Sequence, residues 1–356
     1  MKDGEAVEFL KDLLNIYSPS GEERALAIYL AEKLERLGLH AFVDQVGNVV
    51  ASTSRLILPE PNLLFLGHID TVPGFIPVRE EGGKIFGRGA VDAKGPIAAF
   101  LVALARINPD SAVVFVGAVG EEAESLGAKH IIPSFRPLNA VIGEPGRWEG
   151  ITLGYKGRLL IRYILSRPKF HTAAPSPTAP EEAFRFWQGL KAWAEEFNGA
   201  KSPFERIDLS LLEICSQEGE FSTSVEMKLG LRLPPGFKPS SAAHQASFLA
   251  GEATLEFSGE EEAFVADRNS PLVRAFLEAI RSEGGKPRFK LKTGTSDMNL
   301  AGHSWRCPIL AYGPGDSSLD HTPWEHIEIS DYLKAIKVWE RVLKRFSGGR
   351  ENGTVD

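Results

Sequence analysis

The chain has 356 residues, 43% hydrophobic and 24% charged, which are ordinary proportions for a soluble globular protein with room for two domains. A net charge of -7 argues against a general nucleic-acid or membrane-surface binder, and the two cysteines, Cys215 and Cys307, are too few and too far apart for a disulfide framework. The amino terminus lacks a signal-peptide core and no apolar run approaches the roughly 20 residues of a bilayer span, so a cytoplasmic protein is expected.

Apolar positions at Val7, Leu10 and Leu14 predict a helix over 5–17 that stops before Pro19. Ser20-Gly21-Glu22-Glu23 fits a capping box, so a second helix is expected to open there and run to Leu37, with Gly38 as its stop. Short strands are expected over 41–44 and 48–51. Leu63-Leu64-Phe65-Leu66 is apolar throughout, as a strand buried on both faces would be, and it runs into Gly67-His68-Ile69-Asp70. Gly82-Gly83 reads as a hairpin turn ahead of Gly87-Arg88-Gly89-Ala90-Val91-Asp92. The helix expected from Pro96 to Ile107 is apolar nearly all round and therefore buried. Apolar strands at 112–119 and 140–142 end in Gly120-Glu121-Glu122 and Gly143-Glu144-Pro145. Strands alternating with helices predict an α/β fold, a mainly parallel sheet with helices on both faces.

The pattern changes after Tyr155. Strands at 159–165, 207–214, 222–233 and 253–257, with helices near 181–197 and 240–249, follow the strand-helix-strand-strand-helix-strand order of a ferredoxin-like α+β layer. Residues 157–266 are thus expected to form an inserted domain, and 1–156 with 267–356 the main one. A helix at 270–283, a strand, a loop over 293–299, a strand at 309–312 and a helix at 331–346 complete the chain, and the Gly-rich tail 347–356 is expected to fray. Lys286, Arg288, Lys290 and Lys292 share one parity, with Phe289 and Leu291 on the other. As a strand, this segment would have a basic row on one face, suited to an acidic partner or to discouraging edge-to-edge pairing, and an apolar face opposite.

The chemistry gathers at strand ends. In extended backbone His68 and Asp70 point to one side, and a metal-binding histidine usually donates its second ring N–H to a carboxylate such as Asp70. Each acidic fragment alone reads equally as a strand that ends in a polar loop. Taken together, Asp92, Glu121, Glu122 and Glu144 would repel one another without a cation. With His68 and the late His321-Thr322-Pro323-Trp324-Glu325-His326, the donors suit zinc, cobalt or manganese, and the share of oxygen suits a pair of ions.

Over nearly its whole length the sequence resembles the M20 metallopeptidases. The resemblance rests on Gly67-His68-Ile69-Asp70-Thr71-Val72-Pro73, Gly87-Arg88-Gly89, Asp92-Ala93-Lys94-Gly95, Glu121-Glu122, Gly143-Glu144-Pro145, and His321 with Glu325 four residues on. It implies two divalent ions, zinc or cobalt, bridged by Asp92. His68 and Glu144 would complete one site, Glu122 and His321 the other, with Glu121 as general base and Asp70 as the partner of His68. One departure, Pro96 in place of a common second glycine, touches a helix start where proline is tolerated. Phe170-His171-Thr172-Ala173 resembles a segment whose histidine often reaches the other subunit's active site in a dimer, which makes His171 the candidate oxyanion donor; read without the resemblance it is a plain surface histidine. Gly294-Thr295-Ser296-Asp297 resembles the family's substrate-side loop, and Arg232 fits an Arg-x-x-Pro-Gly motif as a substrate contact or an ion-pair residue. Within the family, Lys292–Leu300 and Gly154–Arg158 are most similar to the amino-group-carrier-protein–lysine hydrolases. These release lysine or ornithine from the C-terminal γ-glutamyl group of an acidic carrier, in lysine and arginine biosynthesis. The alternative is an N-acyl-amino-acid deacylase or dipeptidase with the same metal chemistry; a non-catalytic relative would not need the intact ligand set.

Overall fold

The strand Leu63–His68 is buried at all six positions, as coverage on both faces requires. In the computed structural model, which describes residues 1–171 and 175–347, this strand pairs in parallel with Val113–Ala118 on one side and Ala140–Ile142 on the other. Ile309–Ala311 extends the parallel part beyond Ala140–Ile142. Antiparallel strands flank it, Val49–Ser52 and His40–Val43 at one edge and Gly150–Tyr155 at the other. The fold is thus mixed α/β with a sheet parallel at its centre. Parallel strands finish at one edge, so His68, Glu121–Glu122 and Glu144 are delivered to the same side.

An aromatic cluster locks this sheet to its helices. Phe65 stacks on Phe100 of helix Lys94–Ile107 with centroids 4.2 Å apart, and Trp339 of helix Ile329–Ser347 stands edge-on to both. Such pairs contribute about 0.5–1.5 kcal/mol beyond simple burial. Gly67 leaves room for this packing, since a Cβ there would lie 2.9 Å from Phe65 and 3.0 Å from Ile97.

Contacts divide the chain into two units: Met1–Leu153, Ala266–Lys290 and Ser296–Asp356 form one, Gly154–Val265 and Leu291–Thr295 the other. The second unit holds a four-stranded antiparallel sheet ordered Asp208–Glu218, Ser222–Leu233, Gly157–Pro168, Thr254–Glu261. Helices Ala179–Asn198 and Pro239–Leu249 pack on it through a core that includes Tyr163 stacked on Phe186 at 4.7 Å. The strand and helix order is the ferredoxin-like one read from the sequence.

Three expectations are corrected. The second helix spans Arg24–Arg36, not from Ser20, although Gly38 does follow its end with φ +86°. The capping box yields to tertiary pairing: Pro19 bridges Thr71, and the Ser20 hydroxyl is drawn to Asp70 instead of a helix amide. The 293–299 stretch is only partly loop, because a helix opens at Asp297, capped by Ser296 accepting from the Met298 amide. In the strand Arg288–Lys292 the apolar parity is the exposed one, Phe289 at 46% and Leu291 at 50%, while Lys290 and Lys292 are half-buried. Lys292 lies against the Tyr155 ring, a cation–π contact that draws its stem inward. Helix Leu126–Ile131 and strand Gly150–Tyr155 had no counterpart in the sequence reading. Thr172, Ala173 and the tail 348–356 lie outside the described residues.

Candidate metal centre

Asp92 sits in a turn that only glycines permit. Gly89 has φ +88°, and a Cβ on Gly95 would lie 2.3 Å from the Ala90 carbonyl oxygen. Just beyond, the buried Lys94 ammonium donates to the Leu13 and Ile16 carbonyls at 3.1 and 2.7 Å, pinning the turn to the end of helix Asp3–Asn15. Burial pushes its pKa down to about 7.

The two oxygens of Asp92 face two different imidazoles. Oδ1 lies 3.2 Å from His68 Nε2, and Oδ2 lies 3.3 Å from His321 Nε2. His321 Nε2 also meets Glu122 Oε1 at 2.8 Å, and His68 Nε2 is 4.0 Å from Glu144 Oε1. His321 reaches this point from a left-handed backbone, φ +62°. On the far side of its ring, His68 Nδ1 lies 3.0 Å from the Asp70 carbonyl and 3.4 Å from its carboxylate. Both are acceptors, so Nδ1 carries the hydrogen and Nε2 is the atom turned toward Asp92.

Asp70 does more than orient His68. Its carboxylate accepts from the backbone amides of Glu121 and Glu122 at 3.1 and 3.0 Å, and from the Ser20 hydroxyl at 2.7 Å. Glu23 accepts from the Gly120 amide, so the segment before the second helix braces two loops of the centre. Ser20 and Glu23 were missed because their local pattern reads as a helix cap.

The electrostatics are those of a site that asks for positive charge. Hydrogen bonds with Asp92 and Glu122 push His321 up to about 10. Burial opposes charge on His68, yet its bonds to Asp70 and Asp92 hold it well above the usual histidine range. Protons are thus favoured where cations would bind. Donor atoms of His68, Asp92 and Glu122 lie within 4.8 Å of one another, and the mixture of imidazole and carboxylate suits zinc-like divalent ions. The residues fit a metal.

Glu121 lies within electrostatic reach of these residues. Burial raises its pKa well above the carboxylate range, and Glu144, Asp297 and Glu122 add to the shift against the pull of His68. Asp297 is buried in the first turn of helix Asp297–Trp305, close enough to act on Glu121. The structure thus gathers His68, Asp70, Asp92, Glu121, Glu122, Glu144, His321 and Asp297 in the first unit. In the second unit Arg232 Nη1 donates to Thr295 Oγ1 at 2.8 Å. A Cβ on Gly294, beside Thr295, would meet nothing within 4 Å. His171, also in the second unit, is exposed.

Residues 64–345 match the sequence profile of peptidase family M20/M25/M40. A LysW-lysine hydrolase of Deinococcus radiodurans is 41% identical over 97% of this chain and 98% of its own length. A putative LysW-lysine/LysW-ornithine hydrolase of Thermococcus kodakarensis is also 41% identical, over 98% of this chain and 94% of its own. Among solved structures, an M20 family metallo-carboxypeptidase from Sulfolobus solfataricus shares the fold with a TM-score of 0.80 over 98% of this chain and 100% of its own, at 21% identity. A tripeptidase from Staphylococcus aureus does so with a TM-score of 0.81 over 98% and 99%, at 19% identity.

Proposed function

The chain belongs to peptidase family M20/M25/M40, a family of metal-dependent hydrolases, and on that premise we propose that it cleaves the amide joining lysine or ornithine to the C-terminal γ-glutamyl group of an acidic amino-group carrier protein. The reaction serves lysine and arginine biosynthesis in the cytoplasm. Among the described residues no helix is long and apolar enough to cross a membrane. The observation that carries the chemistry is Asp92, with one oxygen toward each of two imidazoles and Glu121 held beside them. The full-length relatives carry the substrate.

Two divalent ions, zinc or cobalt, would be held by Asp92 between them, with His68 and Glu144 on one and Glu122 and His321 on the other. When bound, such ions lower the pKa of water and polarise the scissile carbonyl. Glu121 takes the proton of the attacking water on its carboxylate and passes it to the leaving amine nitrogen. His171 donates to the developing oxyanion. Gly294, Thr295, Ser296 and Asp297, with Arg232 held on Thr295, receive the released amino acid.

The inserted domain serves as lid and dimerisation surface. Its sheet ends in the strand Asp208–Glu218, whose outer edge is unpaired among the described residues and whose Leu211, Leu212 and Ile214 are 40%, 60% and 52% exposed. Such an edge invites pairing with a second copy. If His171 acts across that dimer, hybrids of His171→Ala and Glu121→Gln subunits regain activity, because one of their sites holds both groups. Verified hybrids without recovered activity, or an active monomer, would return His171 to its own subunit.

The carrier is expected to meet exposed Lys286 and Arg288. Changing both to Glu raises KM for the carrier substrate about tenfold at low salt. A short γ-glutamyl-lysine mimic is spared. Equal losses on both substrates would reduce these residues to a solvated surface.

The substrate itself is tested by comparing kcat/KM for a γ-glutamyl-lysine-tailed carrier and for free acyl-lysines, with zinc or cobalt present. Preference for the carrier supports the proposal. Preference for free acyl-lysines makes the protein a small-molecule deacylase.

A further inference from the structure

One buried ion pair in the first unit has no part in the chemistry above. Arg88 and Glu325 are 6% and 1% exposed and lie 237 residues apart in sequence, with Arg88 Nη1 donating to Glu325 Oε2 at 2.8 Å. The other carboxylate oxygen, Oε1, accepts from the Val91 and Asp92 amides at 2.9 and 3.1 Å. The Glu325 carbonyl accepts from the Gly87 amide. On its outer side Arg88 Nε donates to the Gly74 carbonyl at 3.0 Å, and the Gly74 amide donates to the Tyr17 hydroxyl at 2.9 Å. Three loops therefore converge on one pair: the one after His68, the one carrying Asp92, and the one carrying His321.

We infer that Arg88 and Glu325 are positioning residues that preset the spacing of the metal centre by holding the Asp92 loop against the His321 loop before any ion binds. This inference rests on the two-ion reading given above. The carboxylate grips the peptide amide of Asp92 itself, so its place decides where the side chain of that residue points. It also comes from the chain segment that begins with His321, four residues earlier, so a shift of Glu325 moves both flanks of the second ion site together. Arg88 makes this arrangement tolerable. A lone buried carboxylate beside Asp92 would be repelled by it, whereas the Arg88 guanidinium offsets the charge through Nη1 and ties the carboxylate to the loop after His68 through Nε on the Gly74 carbonyl. A pair that merely stabilised the fold would not need to end on the amide of a ligand.

The test is cobalt binding to metal-stripped protein, read by visible absorption and by stoichiometry. Wild-type protein takes two ions. Glu325→Gln leaves one oxygen for the Val91 and Asp92 amides but turns an NH2 group toward Arg88 and strands its charge; its second ion is expected to bind 10- to 100-fold more weakly, with an altered cobalt spectrum. Arg88→Lys keeps the charge without the Nε contact to Gly74 and is expected to show the same loss in smaller measure. Two ions bound by both variants within about twofold of the wild-type affinities, with an unchanged spectrum, overturn the inference. A wild-type protein that takes fewer than two ions overturns the two-ion reading itself and the pair's assignment with it. Hydrogen exchange on wild-type protein decides the matter should the variants not fold. The Val91 and Asp92 amides are expected to be as protected without metal as with it, and free exchange in the metal-stripped protein contradicts a preset loop.

Discussion

Replacing Glu121 by Gln is expected to lower turnover roughly 1,000-fold while the metal content stays that of the wild type. The side chain keeps its size, and its backbone amide still donates to Asp70. What is lost is a carboxylate whose proton affinity burial and three acidic neighbours have raised. Gln cannot accept the proton of water or deliver it to an amine. Single-turnover kinetics and metal analysis on the same sample check this. Lost ions would make Glu121 a ligand, and turnover close to wild type would place the base elsewhere.

Asp92→Asn is expected to fail differently, by losing the ions. Both Asp92 oxygens face an imidazole nitrogen, at 3.2 and 3.3 Å. Asn supplies one oxygen and an NH2 group, and it removes the negative charge shared by the two sites. A change to a partner one shell out already costs about 10- to 100-fold in metal affinity, so loss of the bridge itself should cost at least 100-fold. Turnover at micromolar metal then falls to background and is not restored by added cobalt. Equilibrium dialysis that finds two ions still bound would deny Asp92 its bridging place.

The two variants also separate what was legible in the sequence from what was not. His68, Glu121, Glu122 and Glu144 could be singled out because apolar runs stop abruptly at each, and parallel strands bring such ends together. Asp92 lies on a turn, and its place between His68 and His321 was implied only by resemblance. Ser20 shows where local reading fails. The capping-box pattern is present, but pairing of 18–20 with 69–71 gives its hydroxyl a buried carboxylate to meet instead. The basic row held only in part, with Lys286 and Arg288 exposed but Lys290 and Lys292 half-buried, for a related reason. Parity was read correctly, yet which face of a strand is covered depends on the strand it joins, and that is not written in the segment itself. The Arg88–Glu325 pair lay inside quoted motifs and still carried no visible role, because its meaning is the joining of loops 237 residues apart.

Metal-dependent release of an amino acid from a carrier protein can be followed by incubating metal-stripped protein with a purified acidic carrier ending in γ-glutamyl-lysine and measuring the carrier mass and free lysine with and without added cobalt or zinc. The expected result is a carrier shortened by one lysine, with an equal amount of free lysine, only when metal is present. An intact carrier in the presence of either metal, under conditions where the same protein hydrolyses a free acyl-lysine, would contradict it.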